Sequence, residues 1–210
     1  MLRDVLRKPF VKQGLVLASL LPFAWLFASA FLDQLGPNPA EYLIRSTGEW
    51  TLRFLCITLL MTPLRVTFKM PEWILFRRSL GLLTFFYALL HAICYSLFDM
   101  GLAWDEIWVD IIKRPFITVG FAAALLLTLL AATSSNRAIK RMGAVRWRML
   151  HRCVYAIAAL AMLHFFWMRS GKRNFTEVVV YGAILSVLLG WRVWHAVQTR
   201  RAKTQVLKTD

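Results

Sequence analysis

The sequence predicts an all-α, polytopic membrane protein: a single domain, 1–210, built as a bundle of six transmembrane helices. The 210 residues are 59% hydrophobic and have a mean hydropathy of +0.55, whereas soluble domains are roughly 45–50% apolar. The apolar residues fall in separate blocks, each close to the about 20 residues that a helix needs to cross a bilayer core. Short connections between the blocks leave no room for a second domain.

Six predicted spans follow one another along the chain, at approximately 14–32, 49–65, 79–98, 115–133, 151–168 and 177–198. The first follows a basic start and includes Ala28-Ser29-Ala30, as a signal peptide would. We expect it to be retained, because it is long for a signal peptide and further spans follow. The fourth begins at Pro115, a residue well suited to the first position of a helix. No internal repeat is visible.

The basic residues predict the orientation. The net charge is +15, and a strongly basic chain can bind nucleic acid. Here, however, Lys and Arg lie in the short connections, where the positive-inside rule explains them better. With both termini cytoplasmic, nineteen Lys and Arg residues lie on the cytoplasmic side and seven on the outer side. The outer seven are Arg45, Arg53, Lys113, Arg114, Arg169, Lys172 and Arg173.

Several kinds of chemistry lack their sequence signals. Cys56, Cys94 and Cys153 lie in apolar blocks without a CxxC pair, as small buried hydrophobes do. The chain has no GxGxxG motif after a strand and no P-loop, so it is not predicted to bind NAD(P)H in the usual way. Because the spans contain essentially no acid and no Lys, a pump or an ion-coupled transporter is poorly supported.

Two histidines stand at matching depths in two spans that run in the same direction. His91 lies 13 residues beyond Arg78, and His164 lies 13 residues beyond His151. At 1.5 Å per residue, each is about 20 Å from the cytoplasmic side, roughly two-thirds of the way across. Such a pair favours axial ligation of a haem between helices 3 and 5. The alternative is two unrelated polar residues that bond to the backbone or to Tyr87 and Tyr95.

A second haem nearer the cytoplasm is a further hypothesis, centred on His151. Arg77 occupies the corresponding position of the third span and cannot ligate iron. On a straight helix, moreover, His151 and His164 differ by about 140° around the axis unless a kink intervenes. His151, Arg77 and Arg78 could instead contact a haem propionate, a flavin phosphate or a quinone. His195, near the end of the sixth span, has about the right depth to pair with His151.

Four runs resemble the MsrQ (YedZ) family, within the ferric-reductase-like transmembrane group: RFLCITLLMTPLR, RRSLGLLTFFYALLHAICY, KRPFITVGFAAALLLTLLAATS and WRMLHRCVYAIAALAMLHFFW. The resemblance covers nearly the whole chain. It implies His91 and His164 as haem ligands and His151 as a further functional histidine, with His195 outside the site. It also implies a b-type haem and allows FMN as a further cofactor. The chain would then be an electron-transfer subunit of the bacterial inner membrane rather than a stand-alone enzyme.

The resemblance further implies electrons from the quinone pool or a cytosolic flavin reductase, and delivery to a periplasmic, molybdopterin-containing partner, MsrP. The basic segment from Ser134 to Leu150 suits an acidic flavoprotein, although positive-inside topology explains it equally well. Two alternatives stay open. One is a ferric reductase or quinol oxidoreductase that uses the same haem, and the other is a cofactor-free small-solute transporter.

Overall fold

The structure, a computed structural model, describes residues 2–171 and 175–206, so Lys172, Arg173 and Lys208 of the charge count lie outside the described residues. All regular elements within those ranges are helical. They are α1 Leu2–Arg7, α2 Pro9–Phe31, α3 Pro39–Thr67, α4 Ile74–Cys94, α5 Trp104–Lys113, α6 Pro115–Ala132, α7 Asn136–Met142, α8 Ala144–His151, α9 Val154–Ser170 and α10 Thr176–Val206. A 3₁₀ turn, Pro71–Trp73, precedes α4, and a π turn, Tyr95–Asp99, follows it.

Within residues 2–171 and 175–206, five helical segments are long and apolar enough to cross a membrane, judged by length and composition. They are Pro9–Phe31, Pro71–Asp99, Pro115–Ala132, Ala144–Ser170 and Thr176–Arg201. They coincide with the first, third, fourth, fifth and sixth predicted spans, so the chain is a multi-pass membrane protein. The second predicted span lies within α3, which is 29 residues long but more charged. The count of six therefore stays a prediction that depends on α3.

Prolines and one asparagine mark where the long helices begin. Pro9, Pro39 and Pro115 occupy the first helical positions of α2, α3 and α6, where a residue without an N–H loses no helical hydrogen bond. The Asn38 side chain accepts a hydrogen bond from the Glu41 backbone N–H at 3.1 Å, which caps α3. α6 begins at Pro115, the residue at which the fourth span was predicted to start.

Two helix pairs form the centre of the bundle, with α4 packed along α3 and α9 packed along α6. One apolar cluster, around Leu55, Ile157 and Leu185, joins α3, α6, α9 and α10. A second, around Phe54, Leu80 and Tyr87, joins α3 and α4 and receives side chains of α2. Since α3 contributes to both clusters, it is the helix around which the others assemble.

The Tyr87 hydroxyl connects α4 to the backbone of α2. Tyr87 is fully buried, and its hydroxyl donates to the Ser19 carbonyl at 2.8 Å and accepts from the Phe23 N–H at 3.2 Å. These two backbone groups are one turn apart, on either side of Pro22, a proline inside the helix. Because proline disturbs the helical ladder beside it, the hydroxyl supplies a partner at the weakened turn.

Two segments differ from the sequence-based expectation. The fifth predicted span is not one straight helix, because α8 ends at His151 and α9 begins at Val154. The predicted 140° between His151 and His164 assumed a straight helix and does not apply across this break. The predicted outer loop, Asp99–Arg114, contains α5, whose exposed Trp104, Trp108 and Ile112 lie four residues apart. That spacing places them on one face, as in helices that lie in a membrane interface.

Candidate functional site

The histidines of the two central helix pairs face each other. The rings of His91, on α4, and His164, on α9, have centroids 6.1 Å apart and planes inclined by 78°. Both imidazoles keep part of their surface accessible. The two residues that the sequence placed at equal depth are therefore brought together, whereas iron ligation by them stays a prediction.

Each ring makes one hydrogen bond, through the same nitrogen, to a backbone carbonyl of the neighbouring helix. His91 Nδ1 lies 2.8 Å from the Ile44 oxygen, and His164 Nδ1 lies 2.7 Å from the Phe116 oxygen. A carbonyl oxygen can only accept, so Nδ1 carries the proton in both rings. In a neutral imidazole the other nitrogen, Nε2, then keeps its lone pair. The backbone bonds foreseen in the alternative reading thus leave a ligating atom on each ring.

The ring separation fits two imidazoles bound to one iron. With a metal–nitrogen distance of about 2 Å on each side, and the ring radius added at each end, the centroids would lie on the order of 6 Å apart. Two opposed nitrogen ligands suit an iron whose remaining positions are filled by a porphyrin. The geometry of His91 and His164 is therefore compatible with a haem held between α4 and α9.

Two glycines that the sequence reasoning did not single out face these rings. Gly48 lies on α3 opposite His91, and Gly120 lies on α6 opposite His164. An isolated glycine inside a helical pattern weakens the helix and usually has a packing reason. That signal was present in the sequence, but nothing there connected either glycine to a particular histidine.

A network of charged side chains, also missed, ties α3 to α9 and α10. Glu49 accepts from Arg53 at 2.9 Å and from Arg169 at 3.3 Å, while Arg169 also donates to Glu177. Arg53 donates to the Tyr181 hydroxyl at 3.0 Å. Arg53 and Arg169 were expected in outer loops, yet Arg53 lies within α3 and Arg169 is only 8% exposed. Glu49, the first residue of the predicted second span, therefore pairs with arginines of two helices.

The Nε atom of Arg169 is buried and has no hydrogen-bond partner among the residues that the structure describes. Arg169 follows His164 by five residues on α9, and Glu49 adjoins Gly48 on α3. On α9 the network thus lies about one and a half turns beyond His164. A guanidinium with an unused donor in such a place is suited to a carboxylate, and the propionates of a haem are carboxylates.

The residues proposed for a second site lie at another level of the bundle. His151, at the end of α8, has its Nε2 3.3 Å from the Thr133 hydroxyl, and its ring centroid is 4.1 Å from that of Trp147. Arg77 is within electrostatic reach of His151. Arg78 instead donates to the Asn136 side chain at 2.7 Å.

His195 stacks on Trp191 of its own helix, with ring centroids 5.1 Å apart. Among the described residues, no ring contact or hydrogen bond joins His195 to His151. Leaving His195 outside the site stays a prediction.

The comparisons with known proteins agree with one another. Residues 47–163 match the model of the family described as ferric reductase like transmembrane component, a range that includes His91 and His151 and ends just before His164. The protein-methionine-sulfoxide reductase heme-binding subunit MsrQ of Polaromonas naphthalenivorans is 60% identical over 194 residues, covering 92% of this chain and 89% of that protein. The proteins of the same name from Herminiimonas arsenicoxydans and Caulobacter vibrioides are 48% and 42% identical.

In these two, the matches cover 94% and 89% of this chain, and 90% and 88% of the relatives. The similarity therefore extends over nearly the full length of this chain and of each relative. With the family model matching more than half of the sequence as well, the chain belongs to the ferric-reductase-like transmembrane family, in its MsrQ branch.

Proposed function

We propose that the chain is a transmembrane electron-transfer subunit that binds a b-type haem through His91 and His164. The observation that carries this proposal is the pair of facing imidazoles, each with Nδ1 bonded to a carbonyl and Nε2 left for a metal. The MsrQ relatives are named as heme-binding subunits of a protein-methionine-sulfoxide reductase. A bound haem supplies one-electron chemistry, and the protein sets its environment.

The chain's own residues would bind and orient the cofactor. His91 and His164 would ligate the iron through Nε2, and the carbonyls of Ile44 and Phe116 keep both rings in the tautomer that leaves Nε2 without a proton. Arg169 supplies a buried donor suited to a propionate. Surrounding apolar side chains, such as Phe165, exclude water and thereby influence the reduction potential.

The position of the histidines favours electron exit on the outer side. Ile44 is the sixth residue of α3 and Phe116 the second of α6, so both rings lie close to the ends where these helices begin. In the proposed orientation those ends face the periplasm. The distance to the outer boundary, from the depth of about 20 Å in a core of roughly 30 Å, is then about 10 Å. A periplasmic methionine sulfoxide reductase, MsrP, is the proposed acceptor.

The donor would act from the other end of the bundle. Arg77, His151 and the half-buried Arg192 form a basic group there, suited to an anionic cofactor or partner. We assign electron donation to the quinone pool or to a cytosolic flavin reductase, and this group is where FMN or a second haem would bind. The exposed Arg78 adds a further positive charge beside this basic group.

The decisive experiment follows electrons out of the purified protein. After anaerobic reduction, we expect rapid reoxidation of the haem absorbance only when both MsrP and a methionine sulfoxide substrate are added. The His164→Ala protein should show no such signal. Equally fast reoxidation by a ferric chelate, with no response to MsrP, would favour the ferric-reductase alternative. A purified protein without a haem spectrum would favour a cofactor-free transporter.

A second experiment tests the orientation in the bacterial inner membrane. Reporter fusions after Met142, between α7 and α8, and at the C-terminus should report a cytoplasmic location, and fusions after Gly101 a periplasmic one. The physical reason is the excess of Lys and Arg on one side of the spans. A periplasmic C-terminus would show that α3 does not cross the membrane, since five crossings reverse the end of the chain.

A further inference from the structure

The two sides of the site have the same arrangement of a histidine, a backbone carbonyl and a glycine. On each side a histidine donates to a carbonyl, and the glycine opposite its ring lies four residues after that carbonyl. His91 donates to the Ile44 carbonyl and lies opposite Gly48, and His164 donates to the Phe116 carbonyl and lies opposite Gly120. The carbonyl precedes its histidine by 47 residues in one half and by 48 in the other.

A side chain at either glycine would crowd the imidazole opposite it, severely at Gly120 and more mildly at Gly48. A Cβ on Gly120 would lie 2.7 Å from His164 Nδ1 and 2.9 Å from its Cε1. A Cβ on Gly48 would lie 3.1 Å from His91 Nδ1. In both places the nitrogen that would be displaced is the one that donates to the carbonyl, one helical turn before the glycine. The missing side chain is thus what lets the imidazole lie against the helix and reach its acceptor.

We propose that Gly48 and Gly120 are positioning residues for the two haem ligands, each admitting one imidazole to the carbonyl that fixes its tautomer. This inference rests on the proposed haem ligation by His91 and His164. An alanine at either position would push the ring outwards and break the Nδ1–carbonyl bond. The imidazole could then carry its proton on Nε2, where it competes with the metal.

The proposal predicts a graded effect on haem retention. Loss of the partner of a ligating histidine typically weakens metal binding by about 10–100-fold. We expect haem transfer from the Gly120→Ala protein to an excess of apomyoglobin to be faster by about that factor. Gly48→Ala should have a smaller effect, because its contact is less severe. Gly190→Ala is the matched control, since a Cβ there meets nothing within 4 Å.

A spectroscopic measurement separates positioning from general stability. The 78° between the rings predicts a strongly anisotropic low-spin signal in the electron paramagnetic resonance of the ferric protein. We expect this signal to change in both glycine variants and to be unchanged in Gly190→Ala. Because each clash is with a side chain that can swing aside, the variants should still insert in the membrane. If Gly120→Ala fails to accumulate, the milder Gly48→Ala still provides the test.

The outcomes distinguish this inference from the function on which it rests. Wild-type haem transfer and an unchanged ferric signal in both Gly48→Ala and Gly120→Ala would refute the positioning role. The proposed ligation fails instead if the wild-type protein lacks a b-type spectrum, or if His164→Ala retains it.

Discussion

Replacing His164 with alanine is expected to remove most of the b-type absorbance of the purified protein while leaving the chain in the membrane. The same result is expected for His91→Ala. Each ring supplies one of two facing nitrogens, so an alanine leaves the iron with a single protein ligand. The loss should appear in the reduced-minus-oxidised spectrum, with the amount of inserted protein measured in parallel.

Two further histidines provide controls for this experiment. His195→Ala should leave the spectrum nearly intact, because that ring stacks on Trp191 of its own helix. His151→Ala should spare the haem between α4 and α9 and affect only a cofactor at the other end. A spectrum that survives the loss of His91 would show that the proposed pairing is wrong.

Replacing Arg169 with methionine should destabilise the protein strongly. The change removes a cation shared by Glu49 and Glu177 while preserving most of the side-chain volume. Breaking a buried ion pair costs about 3–5 kcal/mol, and the lower end applies because Glu49 keeps Arg53 as a partner. We expect a clearly lower thermal unfolding temperature in detergent, measured with and without bound haem.

Two comparisons make this result interpretable. In the double variant Glu49→Gln and Arg169→Met, the carboxylate that would be left with Arg53 alone is gone, so part of the loss should be recovered. Arg146, on α8, is exposed, and Arg146→Met should change the unfolding temperature little. An Arg169→Met protein as stable as the wild type would contradict a structural role for the network.

The sequence was sufficient for the features that depend on position along a helix axis. His91 and His164 were placed at one depth by counting residues from the basic ends of their spans, and their ring centroids lie 6.1 Å apart. The start of α6 followed from Pro115 and the properties of proline. Both inferences use only the rise of a helix or the geometry of one residue, which do not depend on tertiary structure.

Features that depend on which faces of neighbouring helices pack together could not be predicted by counting residues. Gly48 and Gly120 gain their role only through the rotation of α3 and α6 towards particular rings. The break between α8 and α9 is not marked by proline or glycine, so nothing in the predicted fifth span, 151–168, indicated it. α3 begins at Pro39, ten residues before the predicted second span at 49, and the charged residues in between, Glu41 and Arg45, pair with each other along the helix.

The charges of α3 have a consequence for how the protein is made. Each charged residue at the centre of a helix opposes membrane insertion by about 2.5–3.5 kcal/mol, and α3 carries Glu49 and Arg53 along its length. Arg169, a partner of Glu49, is 120 residues away, and Tyr181, the partner of Arg53, is 128 residues away. Most of the chain must therefore be synthesised before α3 has all its partners, so α3 is expected to settle in the bilayer only when α9 and α10 arrive.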